Sequence, residues 1–227
     1  KLRGAIRITG MGRNGQGAAV RASSRTEGHT ARAQAAAPTR VTISNVWIEA
    51  AGRIPIYLAP GVTHVTVEAC VITGRSRSVA FYFDAESGRN TLRGNTFAAR
   101  VAREAVAVDG SAGNRIVGNV FTSMPLGGIY LYRNCGEGGT VRHQTPNGNI
   151  LTGNRFMTRG LALRAYGIWL GSRNGRRAYC GCDAGYPFGS SLDNRDFADD
   201  NIVTNNMFTP MTPRALRDDG SHNRIVL

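Results

Sequence analysis

The feature that most constrains this chain is an eight-residue pattern written four times: Asn, any residue, apolar, any residue, Gly or Asn, Asn, any residue, Phe. Asn90 to Phe97, Asn114 to Phe121, Asn149 to Phe156 and Asn201 to Phe208 follow it. Another copy opens at Asn223, and degenerate copies open at Val41 and Val65. The starts fall at 41, 65, 90, 114, 149, 201 and 223, with steps of 24, 25, 24, 35, 52 and 22 residues. Such a period belongs to stacked repeat units, each contacting only its neighbours.

Each copy reads as a short apolar strand, a Gly-Asn or Asn-Asn corner where the chain enters the left-handed region, and a second short strand. A unit of roughly 22 to 25 residues, at about 3.3 Å per residue, makes one coil of three short strands rather than a helix pair. Stacking puts equivalent residues about 4.8 Å apart. Buried Asn95, Asn119, Asn154 and Asn206 then hydrogen-bond up the stack as a ladder, and Phe97, Phe121, Phe156 and Phe208 form an apolar stack beside it. Over about residues 41 to 227 this repeat resembles the right-handed parallel β-helix of the pectate-lyase-like superfamily. The resemblance implies an all-β fold, a solenoid of about seven coils with two long loop insertions. It implies no single activity, because that superfamily holds lyases, hydrolases, epimerases, adhesins and phage tailspikes.

At 227 residues a repeat stack is one domain, and we read residues 1–227 that way. Residues 17–40 turn polar and small and are expected to form an exposed excursion or cap, with a short helix over Thr30 to Ala37. The chain opens inside apparent strand sequence, Leu2 to Thr9, and stops inside another, Asn223 to Leu227, as expected of a trimmed or processed piece of a longer chain. No apolar run approaches the roughly 18 residues of a membrane span. Secreted or periplasmic placement is expected on indirect grounds.

The formal net charge is +13, and Lys1 is the only lysine, so arginine supplies the rest of the 28 basic residues. Either an anionic partner or simply a solvated basic surface accounts for this. No recognition helix, zinc-finger spacing or RNP-type aromatic motif accompanies the charge, so the expected partner is an acidic polysaccharide and not nucleic acid. Oligomeric state stays open.

A second strand recurs as Ile56 to Ala59, Phe81 to Asp84, Val106 to Asp109, Ile129 to Tyr132 and Ile168 to Gly171. With alternating faces, the first and third members point into the core. The second members, Tyr57, Tyr82, Ala107, Tyr130 and Trp169, form an outer column. Exposed aromatic rings in register would stack along a sugar chain; alternatively, loops fold over this sheet and bury them. Those loops are expected at 133–148 and 172–200, walling a groove. Arg142 and Arg173 join Tyr57, Tyr82, Tyr130 and Trp169 as expected substrate-binding residues.

Asp84 and Asp109 align one coil apart, so their carboxylates lie about 5 Å apart. Like charges that close raise one pKa or recruit a cation. Three roles follow: a retaining-glycosidase pair, a calcium site that neutralises a uronate, or turn capping. For β-elimination, Arg133, Arg142 or Arg173 would clamp the uronate or, as the resemblance to pectate lyases implies, provide an arginine base. Tyr132 or His143 would act as base or acid. The expected catalytic set is therefore Asp84, Asp109, Tyr132, Arg133 and His143, working either without a cofactor or with Ca²⁺ at Asp84 and Asp109. The Asp and Gly-His-Gly motifs of polygalacturonases and the Asp-Pro-His motif of mannuronan epimerases are absent. His29, His64 and His222 have no evident partner.

Three of the four cysteines lie in the loops. A disulfide from Cys135 to Cys180 or Cys182 is expected; zinc held by these with His143 is the alternative and lacks the usual spacing. Cys70 falls at an Asn-ladder position and reads as a buried free thiol. The expected function is extracellular action on an acidic glycan, by lyase chemistry first, with a glycoside hydrolase or a non-catalytic glycan-binding, adhesin or tailspike-like module as alternatives.

Overall fold

The computed structural model describes residues 1–10, 28–134, 142–157, 165–174, 195–209 and 214–227. Three parallel sheets of seven strands each run along the stack, and the chain visits them in rotation. The first sheet contains Trp47–Gly52, Val71–Ser76, Thr96–Phe97, Val120–Phe121, Arg155–Phe156 and Met207–Phe208. The second contains Ile56–Leu58, Phe81–Phe83, Val106–Asp109, Ile129–Tyr132, Ile168–Leu170 and Leu216–Asp218. The third runs from Thr42–Ser44 through Thr66–Glu68, Thr91–Arg93, Arg115–Val117, Ile150–Thr152 and Ile202–Thr204 to Arg224–Val226. Leu2–Arg3 and Ile6–Ile8 complete the first and second sheets, which makes seven coils of three strands.

The repeat sets the register. Ile48 pairs with Ile72, Ile72 with Phe97, and Phe97, Phe121, Phe156 and Phe208 continue the column. The four Phe rings stack face to face at 4.8, 4.9 and 4.8 Å, within 9° of parallel. Val67, Leu92, Ile116, Leu151 and Val203 oppose them from the third sheet, each with no exposed surface.

Asparagine holds both corners flanking the third sheet. Asn95, Asn119 and Asn154 each donate side chain to side chain up the stack at 2.9–3.0 Å, and Asn206 accepts the last of these bonds. A second ladder, which the sequence reading did not anticipate, runs through Asn90, Asn114, Asn149, Asn201 and Asn223 at 2.9–3.2 Å. Each ladder residue follows a left-handed one, Gly118 before Asn119 and Gly113 before Asn114, with φ near +63°. A Cβ added at Gly118 would meet nothing within 4 Å, so backbone conformation alone selects glycine there. Asn205 and Ala69 take the same conformation at the equivalent corner. Cys70 occupies the ladder position above Asn95, buried and without a disulfide.

The second sheet differs from the other two. Every residue of its strands from Ile56–Leu58 to Ile168–Leu170 is buried, on both faces. Helix α1, His29–Ala36, helps to bury the adjoining corner. Its Ala33 carbonyl lies so close to Gly61 that a Cβ there would come within 2.3 Å of the oxygen. Of the two expectations for residues 17–40, an exposed excursion or a cap with a short helix over Thr30 to Ala37, the described part contains the helix, placed against the flank of the stack.

Candidate functional site

Of the two readings of the second sheet's outer face, open aromatic rings or rings covered by other segments, the structure shows covered rings. Tyr57, Tyr82, Tyr130 and Trp169 do point away from the core, but each is no more than 9% exposed. Neighbouring chain segments cover them. The Arg7 guanidinium lies 4.4 Å from the Tyr57 ring, and Arg217 lies 4.8 Å from Trp169, whose indole N–H donates to Asp219. The phenol of Tyr130 donates to the Leu126 carbonyl and accepts from the Tyr166 amide. Covered in this way, the rings serve as a second packing layer outside the core.

Asp84 and Asp109 do come together, as their alignment requires, and Arg142 lies across them. Its terminal nitrogen is 3.1 Å from Asp84 Oδ1, and its Nε is 2.8 Å from Asp109 Oδ1. The Nε–H is not aimed at that oxygen, so the second contact is Coulombic. Asp84 also accepts from the Tyr57 hydroxyl and the Ala85 amide. Asp109 accepts from the Tyr82 hydroxyl and, at 2.7 and 2.6 Å, from the backbone and side-chain amides of Asn134. Arg142 is therefore the cation that the carboxylate pair recruits.

Burial pushes Asp109 up to about 6; Asp84 adds to the rise and Arg142 opposes it. Two buried carboxylates share one guanidinium, so removing the last proton leaves an uncompensated negative charge. For calcium the donor set is unsuitable: the guanidinium already faces both carboxylates, and among the described residues no group of three His, Cys, Asp or Glu side chains could hold a metal.

The other expected catalytic residues are held in the same wall rather than around an open space. Tyr132 donates to Glu104 Oε1 at 2.8 Å, under the guanidinium of Arg173 at 3.8 Å from the ring. Burial and the Glu104 charge raise its pKa, which keeps the proton on the phenol and opposes a role as base. Arg133 donates its guanidinium to the carbonyls of Arg195 and Arg142. Arg173 donates a further hydrogen bond to Asn134 Oδ1. The His143 ring lies 4.5 Å from that of His29 in α1, tilted by 47°. Cys135, Cys180 and Cys182, with the expected disulfide and its zinc alternative, lie outside the described residues.

Three buried acids were missed. Asp196 accepts from the backbone amides of Arg133 and Arg173, so one carboxylate holds the roots of both loops. Glu104 anchors Tyr132 and Arg103. Glu86, fully buried, accepts from the Thr30 hydroxyl of α1 and from the amides of His143 and Gln144. A signal for Glu86 existed: it takes φ +61°, where Gly61 takes +77° one coil earlier. A non-glycine residue held left-handed is worth a look.

Three sheets in rotation around a stacked core define a parallel β-helix. A family model described as the right handed beta helix region matches residues 8–175, and the chain belongs to that family. The pectate-lyase-like resemblance is compatible with this. No curated protein and no solved structure matches the chain.

Proposed function

We propose that this protein is an exported β-helix that binds an acidic polysaccharide. The observation that carries the reading is the contrast between its buried acids and its exposed arginines. Asp84, Glu86, Glu104, Asp109 and Asp196 are buried and engaged within the fold. Arg53, Arg75, Arg77, Arg100, Arg115 and Arg155 are exposed and make no ion pair with the described residues. In a chain of net charge +13, exposed arginines thus mark the described part of the stack, a surface suited to an extended polyanion.

A cleaving role is the second reading, and one observation favours it: Asp109, raised to about 6, is the type of group that general acid–base chemistry uses. Against it stands the closure of the network around that carboxylate. One experiment separates the two. The protein is titrated against polygalacturonate, alginate and a neutral dextran, and the same mixtures are followed for the ultraviolet absorbance of unsaturated uronate ends and for new reducing ends. Affinity for the acidic polymers without new ends is the expected result. Unsaturated ends would establish the lyase, reducing ends alone a hydrolase, and no affinity for either acidic polymer would sink the proposal.

A further inference from the structure

The corner between the first and second sheets carries a row of arginines that make no ion pair with the described residues. Arg75 and Arg100 bridge in parallel register on adjacent coils, so their side chains leave the stack about one strand spacing apart. Arg77 follows two residues on, and its amide donates to the Gly52 carbonyl, which places Arg53 and Arg77 side by side on neighbouring coils. Arg53, Arg75, Arg77 and Arg100 are all exposed, and none makes an ion pair with the described residues. Like charges held this close repel one another, and a β-helix gains nothing by aligning them.

A cleft of about 240 Å³ opens at this place. Arg75 and Arg100 supply its charge, Ser123 a hydroxyl, and Val101, Ala102 and Pro125 an apolar wall. The Ser76 hydroxyl is turned away, donating to the Val79 carbonyl. Two forked guanidinium groups suit a carboxylate or sulfate. The apolar wall beside them suits the C–H face of a pyranose ring. Among the described residues, the lining includes no aromatic ring on which a nucleobase would stack. The volume lies below the roughly 300–1,000 Å³ of pockets that enclose drug-sized ligands, which fits a single sugar unit of a longer chain.

We propose that the cleft between Arg75, Arg100 and Pro125 is a subsite for one anionic sugar of an acidic polysaccharide, with Arg53 and Arg77 extending the path along the corner. This rests on the acidic-polysaccharide reading, and moves its contact surface from the covered aromatic sheet to an open arginine corner.

The test is calorimetric titration of the whole chain with oligogalacturonate, with its methyl ester and with single-stranded DNA of similar length. Arg75→Gln/Arg100→Gln is compared with Arg115→Gln/Arg155→Gln, which removes the same charge from exposed positions elsewhere. Loss of the paired guanidinium contacts is expected to weaken oligogalacturonate binding about tenfold or more. The control pair, acting only through screened long-range charge, is expected to weaken it by about threefold at most. The methyl ester should not bind. Equal losses in both pairs would overturn the subsite and leave the acidic-polysaccharide reading standing. Tighter binding of DNA, lost in the Arg75/Arg100 pair, would overturn the choice of ligand. A wild-type protein with no affinity for oligogalacturonate, alginate or heparin would overturn both. All four arginines are exposed, so thermal midpoints of the variants should match the wild type and show that folding is intact.

Discussion

The side chain of Asn119 makes every hydrogen bond that its amide allows. It donates to the Leu92 carbonyl and to Asn154 Oδ1, and its own oxygen accepts from the amide and the side chain of Asn95. With all four capacities filled and no water needed, replacement strands partners on both neighbouring coils. Asn119→Ala is expected to cost on the order of 3 kcal/mol or more, read by urea unfolding. Asp109 behaves differently. Its pKa rises from an ordinary 3.8 to about 6 on folding, chiefly through burial, so the native state holds a proton that the unfolded chain gives up. Stability contributed by this group is therefore present below about pH 4, falls as pH climbs toward 6, and is flat above. The fall should be on the order of 3 kcal/mol across that window, and Asp109→Asn should flatten it in a pH series of urea unfolding curves. A steady rise over the same range in the wild type would contradict the assignment. The Asp84–Asp109 approach was legible from alignment because parallel register is rigid. The guanidinium between them was not, because Arg142 comes from a loop whose course no periodicity encodes.

Helix α1 and the segment from Arg142 to Gly148 are elements without a place in the repeat, and they share one anchor. Glu86 holds Thr30 from one and the amides of His143 and Gln144 from the other, while Gln34 donates to the Glu86 carbonyl. Glu86→Ala should free both together. Amide hydrogen exchange is expected to accelerate in residues 28–37 and 142–148, with the ladder amides at Asn90, Asn114 and Asn149 unchanged. Acceleration in only one segment would show that the two dock independently. The Phe stack is the opposite kind of element, wholly repetitive. Phe121 has neighbours at 4.8 and 4.9 Å on either side, so Phe121→Ala breaks two stacking contacts and leaves a cavity. The expected loss is about 3–5 kcal/mol by denaturant unfolding. The same eight-residue pattern that exposed this stack also contained the second Asn ladder in its first position. It went unread there because the pattern looks like a turn signal until both corners of the third sheet are seen to repeat one left-handed geometry.

At the scale of the molecule, the net charge is +13, and among the described residues five acids are buried while Arg53, Arg75, Arg77, Arg100, Arg115 and Arg155 are exposed. Affinity for polygalacturonate should therefore fall steeply when salt is raised from about 0.1 M to 1 M, as the screening length shrinks from about 10 Å to 3 Å. Binding indifferent to salt would point instead to ring stacking and return attention to the aromatic sheet. That sheet marks the boundary between the two kinds of information. The sequence alone determined the solenoid, its coil length, its Asn and Phe columns and which side chains leave the second sheet outward, because in a parallel stack each coil repeats its neighbour's register and period specifies contact. Only the tertiary structure decided that the outward rings are covered, that Arg142 closes the carboxylate pair, and that the open charged surface lies at the Arg75–Arg100 corner. Exposure depends on what the non-repeating segments do, and their positions follow from long-range contacts such as those of Glu86 and Asp196, between residues far apart in the chain.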